Sequence, residues 1–142
     1  MPVICAMEPK STSLTATKKV LLAYLPAVLI TIGVAVLSLW ERPYLPPPVW
    51  SLGDKVLHGL MYTAMAVTWM IPVVKYPISN IQSPIIQSIS VWFGVTAYGA
   101  LMEIMQRYCT QTRSGEMADV YADAIGALLG VAVVMVIVKL KK

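Results

Sequence analysis

Four apolar runs, each long enough to cross a bilayer, dominate the sequence. Residues 20–40 contain no charged side chain, and a spanning helix needs about 20 apolar residues at 1.5 Å of rise each. Three further spans are predicted at residues 56–74, 85–106 and 120–138. We therefore expect an all-α integral membrane four-helix bundle over residues 20–142, preceded by a cytoplasmic segment, residues 1–19.

The composition supports a membrane protein and argues against a nucleic-acid partner. The chain is 58% hydrophobic and only 13% charged, with a mean hydropathy of +0.71, whereas soluble domains carry about 25% charged residues. The net charge is +4. A DNA-binding protein needs its Lys and Arg residues on one soluble face. Here they lie between the apolar runs, so they indicate orientation in the membrane.

The charged residues are divided unevenly between the two sides of the predicted membrane. One side holds a single acidic residue, Glu8, and these basic residues: Lys10, Lys18, Lys19, Lys75, Lys139, Lys141 and Lys142. The other side holds Arg42, Lys55, Arg107 and Arg113 with Glu41, Asp54, Glu103, Glu116, Asp119 and Asp123. Because basic residues accumulate in cytoplasmic loops, both termini are expected in the cytoplasm. Cys5 and Cys109 then lie on opposite sides, which rules out a disulfide between them.

Polar residues recur at helical spacing at the outer ends of the last three spans. They are Asp54, Lys55, His58 and Tyr62 on the second span, Glu103 and Gln106 on the third, and Asp119 and Asp123 on the fourth. Residues three or four positions apart share a helix face. Ionisable residues within spans usually face the bundle interior and pair with one another. The pattern predicts an outward-facing polar pocket between the second, third and fourth helices.

A stripe of small residues on the fourth span indicates close helix packing. Ala118, Ala122, Gly126 and Gly130 lie four residues apart and include a GxxxG pattern. Small residues at this spacing let a neighbouring backbone approach. The stripe would therefore bring the two aspartates of the fourth span close to the second and third helices.

Three interpretations of the pocket remain open. The first is an ion-pair network that closes the outer end of the bundle, with Arg107 or Arg113 neutralising carboxylates. The second is a site for an anionic ligand, in which Arg113, Arg107 and Lys55 hold a phosphate or carboxylate. The ligand would be a membrane lipid headgroup or a lipid-linked cell-wall precursor, because the pocket lies at headgroup depth.

The third interpretation is hydrolytic chemistry. His58 would act as base or nucleophile, Asp54 or Asp119 would orient it, and Glu103 would act as acid or ligand. The catalytic candidates are therefore His58, Glu103 and Asp119. A metal held by histidine and carboxylates is a variant of this interpretation. No zinc motif such as HExxH is present, so we assign no metal ligand and no cofactor.

Three sequence blocks resemble the VanZ-like family of membrane proteins. "DKVLHGLMYTAMA" resembles its D-K-x-x-H-x-x-x-Y signature, and "LMEIMQ" is similar to its E-x-x-Q on the next helix. "RSGEMADVYADAIGALLG" is similar to its R…D…N/D-x-x-G-x-x-x-G ending. Order and spacing fit over residues 53–130. The matching positions are Asp54, Lys55, His58, Tyr62, Glu103, Gln106, Arg113, Asp119, Asp123 and Gly126.

The resemblance implies a cell-envelope role in the bacterial cytoplasmic membrane. The family is named for a protein that lowers susceptibility to the glycopeptide antibiotic teicoplanin. We therefore expect a protein of glycopeptide resistance or envelope homeostasis that binds an anionic envelope lipid or wall precursor. The alternatives are a membrane hydrolase acting on a lipid-linked phosphate or wall-precursor substrate, and a structural accessory protein.

The preferred hypothesis gives the pocket residues two roles. Arg113, Lys55 and His58 would contact the anion, whereas the carboxylates would hold these three residues in place. The carboxylates concerned are Asp54, Glu103 and Asp119. Asp123 stands where family members typically have Asn, so it adds a negative charge at that position.

Overall fold

The computed structural model describes residues 11–40, 51–77, 83–111 and 115–141. Its helices are α1 (Ser11–Leu39), α2 (Ser51–Lys75), α3 (Pro84–Cys109) and α4 (Met117–Leu140). The described residues contain no strand. Each helix contains a segment long and apolar enough to cross a membrane: Leu14–Leu39, Gly53–Lys75, Pro84–Cys109 and Met117–Leu140. The predicted all-α four-helix membrane bundle is confirmed.

The helices extend beyond the predicted spans, most of all in α1. This helix begins at Ser11 rather than at residue 20, so it includes part of the predicted N-terminal segment. The added residues contain two lysines but no Gly or Pro. Long lysine side chains at a helix end can place their ammonium groups in water while the backbone stays helical. Apolarity therefore marks the part of a helix that crosses lipid, and the helix itself continues into the interface.

α2 and α4 pack with their backbones in direct contact. A Cβ at Gly126 would collide with the carbonyl oxygen of Gly59, and one at Gly130 would lie 2.5 Å from the carbonyl oxygen of Thr63. The Thr63 hydroxyl also donates a 2.9 Å hydrogen bond to the Gly126 carbonyl oxygen. Gly126 meets Gly59, and Gly130, one turn later in α4, meets Thr63, one turn later in α2. The two helices therefore run parallel. The predicted small-residue stripe is used here, mainly through its two glycines.

Side-chain hydrogen bonds from α2 and α3 attach α1 to the bundle. The Trp69 indole donates to the Thr31 hydroxyl at 3.0 Å, and the Tyr98 hydroxyl donates to the Thr31 carbonyl at 2.8 Å. Near the C-terminal end of α1, the Gln106 amide donates to the Ser38 carbonyl at 3.0 Å. Because lipid tails are as apolar as the helices, such packing and hydrogen bonds hold transmembrane helices together.

One end of the bundle carries all the acidic residues that the structure describes. We call it the polar end and define it as residues 53–58 of α2, 103–109 of α3, and 115–123, which includes the start of α4. Lys75 and Lys139 lie in the last turns of α2 and α4, at the opposite end. The charge asymmetry of the sequence thus corresponds to two distinct ends of the bundle.

Gly126→Ala tests the contact between α2 and α4. We expect this variant to lower the free energy of unfolding by about 1–3 kcal/mol, because the added methyl must displace the Gly59 carbonyl. Gly94→Ala is the matched control, since a Cβ there meets nothing within 4 Å. Thermal unfolding of the detergent-solubilised protein measures the difference. Equal Tm values for the two variants would contradict the packing.

Candidate functional site: a buried histidine and carboxylate cluster

A buried contact between His58 of α2 and Asp123 of α4 forms the centre of the polar end. The His58 Nδ1 and Asp123 Oδ1 atoms are 3.0 Å apart, and Asp123 is completely inaccessible to solvent. His58 precedes Gly59, and Asp123 lies one turn before Gly126. The backbone contact between these glycines therefore brings the imidazole and the carboxylate together.

Glu103 of α3 completes the cluster from a third helix. Its Oε1 atom lies 3.9 Å from His58 Nδ1, and its Oε2 atom accepts a 3.0 Å hydrogen bond from the backbone N–H of Glu116. Glu116 precedes the first residue of α4, so this bond fixes the start of that helix. We call His58, Glu103 and Asp123 the buried triad; suitable ligand atoms of the three residues all lie within 4.8 Å of one another.

Several polar atoms in and beside the buried triad have no hydrogen-bond partner within the described part of the chain. They are Glu103 Oε1, Asp123 Oδ2 and the hydroxyl of Tyr62. Tyr62 is itself buried and its ring stacks beside His58, with centroids 6.3 Å apart and planes 5° apart. Buried polar atoms in proteins are nearly always paired. Unpaired oxygens of two carboxylates, next to one imidazole, are therefore the most distinctive feature of this end.

Gly99 makes room for the Asp123 carboxylate. A Cβ at Gly99 would lie 2.5 Å from Asp123 Oδ2 and 3.0 Å from Tyr62 Cε1. Any larger residue would push one of these side chains away. Gly99 was not among the predicted site residues, although it lies four positions before Glu103, on the same face of α3. The sequence signal for this space is a glycine one helical turn before Glu103, and it was not used in predicting the site.

Lys55 forms a second, more exposed group with two acidic residues. Its Nζ atom is 3.2 Å from Glu116 Oε2 and 3.2 Å from Asp119 Oδ1. The side chain of Asp119 is buried, whereas that of Glu116 is 55% exposed. The ion-pair interpretation from sequence assigned this neutralising role to Arg107 or Arg113, whereas in the structure Lys55 pairs with the carboxylates. Glu116 is a partner that sequence analysis counted only for its charge.

Asp54 lies at the edge of the same region. A carboxylate oxygen of Asp54, a ring nitrogen of His58 and a carboxylate oxygen of Asp119 all lie within 4.8 Å of one another. The imidazole of His58 is thus shared by two sets of carboxylates, one buried and one nearer the surface. The structure therefore brings together the three catalytic candidates predicted from sequence, since His58 adjoins both Glu103 and Asp119.

Two further predicted residues, Gln106 and Arg107, belong to neither group. Gln106 is buried, and its amide is directed to Ser38 of α1, so it joins helices rather than lining a pocket between α2, α3 and α4. Arg107 is exposed and forms no ion pair with any described residue. Arg113 lies outside the described residues, and its contact with an anion stays a prediction.

His58→Leu tests how strongly the fold depends on the central contact. Removing the imidazole leaves the buried Asp123 carboxylate without its partner, so we expect the free energy of unfolding to fall by about 3 kcal/mol or more. The double variant His58→Leu/Asp123→Asn should recover part of this loss, because a buried amide is less costly than a buried charge. Thermal unfolding in detergent compares the variants. A double variant no more stable than His58→Leu would contradict this account of the contact.

Comparison with known proteins finds no matching family model, no matching curated protein and no matching solved structure. The resemblance to the VanZ-like family therefore stays a prediction based on the three sequence blocks.

Proposed function

We propose that this protein binds the phosphate-bearing headgroup of an anionic envelope lipid or lipid-linked wall precursor at its polar end, in glycopeptide resistance or envelope homeostasis. The observation that carries the proposal is the buried triad at one end of a membrane bundle, where lipid headgroups lie. Ionisable residues are costly inside a membrane and usually mark a functional site. Unpaired oxygens of Glu103 and Asp123 indicate a role other than pairing within the fold.

The charge distribution supports an outward orientation of the polar end. Lys75 and Lys139 mark the opposite end of α2 and α4, and basic residues accumulate on the cytoplasmic side of bacterial membranes. A polar end that faces outward meets the lipids and wall precursors of the envelope. Glycopeptide antibiotics act in this compartment. An outward polar end therefore agrees with the resistance role that the VanZ-like resemblance implies.

Arg107 is the described cation best placed to contact a phosphate. It follows Glu103 by one turn of α3, so the two side chains lie on the same helix face. Arg107 is an exposed residue, and a planar guanidinium binds phosphate oxygens in a bidentate manner. Lys55 is less available, because Glu116 and Asp119 already hold its ammonium group. We therefore assign the first contact with the anion to Arg107, together with the predicted contact of Arg113.

Hydrolysis of a lipid-linked phosphate is the second candidate function. The observation that favours it is the 3.0 Å contact between His58 and Asp123. A carboxylate that accepts a hydrogen bond from Nδ1–H orients an imidazole, whose other nitrogen then takes a proton from water or a nucleophile. The 3.0 Å contact supports Asp123 as the orienting carboxylate in this proposal, whereas the sequence suggested Asp54 or Asp119. Glu103 is close enough to assist as an acid.

Arg107→Gln tests headgroup binding. We expect retention of anionic phospholipid by the purified protein to weaken about tenfold, since a hydrogen bond to a charged group contributes about 1.5–3 kcal/mol. Arg113→Ala should act in the same direction. Lys139→Gln is the control, because it removes a cation from the opposite end of the bundle. Lipid phosphorus per protein, measured after graded detergent washing, gives the comparison; equal retention in all three variants would refute the assignment.

His58→Ala tests the envelope role in cells. In a Gram-positive host, we expect the wild-type protein to lower susceptibility to teicoplanin and the variant to have no effect at matched membrane abundance. The empty vector provides the baseline. If the wild-type protein gives no protection, the glycopeptide part of the proposal is wrong.

The same variant separates binding from hydrolysis. A hydrolase would release inorganic phosphate from lipid-linked diphosphates, and His58→Ala would abolish that release. A binding protein would retain these lipids without any phosphate release. Phosphate release by the wild-type protein that His58→Ala leaves unchanged would exclude the catalytic role of the histidine.

A further inference from the structure

The geometry points to a divalent cation site formed by His58, Glu103 and Asp123. The site itself rests on the arrangement of these three residues. The additional step, that the cation binds a phosphate headgroup, rests on the proposed function. The ligand atoms are His58 Nδ1, Glu103 Oε1 and a carboxylate oxygen of Asp123.

The distances in the buried triad fit one metal ion. His58 Nδ1 lies 3.0 Å from Asp123 Oδ1 and 3.9 Å from Glu103 Oε1, and ligand atoms of all three residues lie within 4.8 Å of one another. With metal–ligand bonds of about 2.0–2.2 Å, tetrahedral ligands are separated by about 3.4 Å. Small side-chain rotations therefore bring the three groups into coordination distance of a common centre.

The unpaired carboxylate oxygens provide independent support. One oxygen of each carboxylate is engaged, since Glu103 Oε2 accepts the Glu116 backbone N–H and Asp123 Oδ1 contacts His58. The other oxygen of each, Glu103 Oε1 and Asp123 Oδ2, has no hydrogen-bond partner among the described residues. Both residues are at least 95% buried. Two buried acceptors without donors, beside one imidazole, are what a cation site provides.

Charge balance gives a further reason. In the forms that coordinate a metal, two ionised carboxylates and a neutral imidazole, the triad carries two negative charges, and burial of uncompensated charge is strongly unfavourable. Lys55 does not supply compensation, because its ammonium group lies with Glu116 and Asp119. A divalent cation cancels the charge of the buried triad. On binding, the ring proton moves from Nδ1 to Nε2 by exchange with solvent, so the imidazole stays neutral and the Nδ1 lone pair coordinates the ion.

The surrounding residues support such a site. Asp54 and Asp119 lie within 4.8 Å of a ring nitrogen of His58, and carboxylates near a coordinating histidine fix the orientation of its ring. Gly99 leaves the space that the Asp123 carboxylate occupies. One nitrogen and two carboxylate ligands suit Zn²⁺ or Mn²⁺ better than Mg²⁺, which prefers oxygen ligands and keeps several waters.

A cation resolves a difficulty in the proposed function. The described polar end contains five carboxylates but only two basic side chains. The carboxylates are those of Asp54, Glu103, Glu116, Asp119 and Asp123, and the basic side chains are those of Lys55 and Arg107. Such a surface repels an anion. Three protein ligands leave a coordination position open on Zn²⁺, and a phosphate oxygen of the headgroup can bind there. Arg107 would then contact the remaining phosphate oxygens.

The test is cation binding by the purified full-length protein in detergent, stripped with EDTA and titrated separately with Zn²⁺, Mn²⁺ and Mg²⁺. We expect one equivalent of Zn²⁺ or Mn²⁺ and weaker binding of Mg²⁺. Glu103→Gln and Asp123→Asn should each raise the Kd more than about 100-fold, beyond the 10- to 100-fold typical of residues outside the coordination shell. Glu116→Gln is the matched control. It changes a nearby carboxylate but keeps the backbone N–H that donates a hydrogen bond to Glu103.

Thermal unfolding provides a second readout on the same samples. The cation should raise the Tm of the wild-type protein and of Glu116→Gln, but not that of Glu103→Gln. If Glu103→Gln does not fold, Asp123→Asn carries the test. Absence of stoichiometric cation binding by the wild-type protein, or an unchanged Kd in both triad variants, overturns the site.

Lipid retention, measured with and without the cation, separates this inference from the proposed function. Retention of anionic phospholipid that rises with Zn²⁺ or Mn²⁺ supports both. Stoichiometric cation binding with no effect on phospholipid supports the cation site and overturns its link to the headgroup. Retention that depends on Arg107 but not on the cation or on Glu103 supports headgroup binding and overturns the cation bridge.

Discussion

The backbone contact between Gly59 of α2 and Gly126 of α4 is the interaction on which the rest of the structure depends. No hydrophobic effect draws helices together in lipid, so close packing must provide the stabilisation. Once these backbones meet, the imidazole of His58 faces Asp123 at hydrogen-bond distance. Glu103 then joins from α3 and, through its other oxygen, holds the start of α4. Helix packing and the candidate site are therefore two consequences of one contact.

The polar end separates into two parts with different physical characters. Lys55 and its acidic partners lie nearer the surface and form ion pairs, with Lys55 in the role that the sequence interpretation assigned to Arg107 or Arg113. The buried triad is different, because its unpaired oxygens remain unexplained by pairing within the described fold. Ion pairing within the fold thus accounts for one part, and the proposed cation would pair the remaining carboxylate oxygens of the other.

Sequence analysis predicted the helices well because length and apolarity alone decide which segments cross a bilayer. It also grouped His58, Glu103 and Asp123 correctly, since periodicity places each on a face at the same depth. Periodicity does not determine which neighbour covers that face. Gln106 shares this depth, yet its amide reaches α1. Likewise, Gly99 was missed, because its role is the space left for Asp123, and this space exists only after α3 and α4 have packed.

The account depends most directly on the polar end facing the envelope, and the two native cysteines can test this. Cys109 is exposed at the polar end, whereas Cys5 lies in the N-terminal segment predicted to be cytoplasmic. A membrane-impermeant maleimide applied to intact Gram-positive cells should label the Cys5→Ser variant, which retains Cys109, and leave the Cys109→Ser variant unlabelled until the cells are permeabilised. Labelling of Cys109→Ser in intact cells, with Cys5→Ser labelled only after permeabilisation, would place the cluster in the cytoplasm and contradict the account.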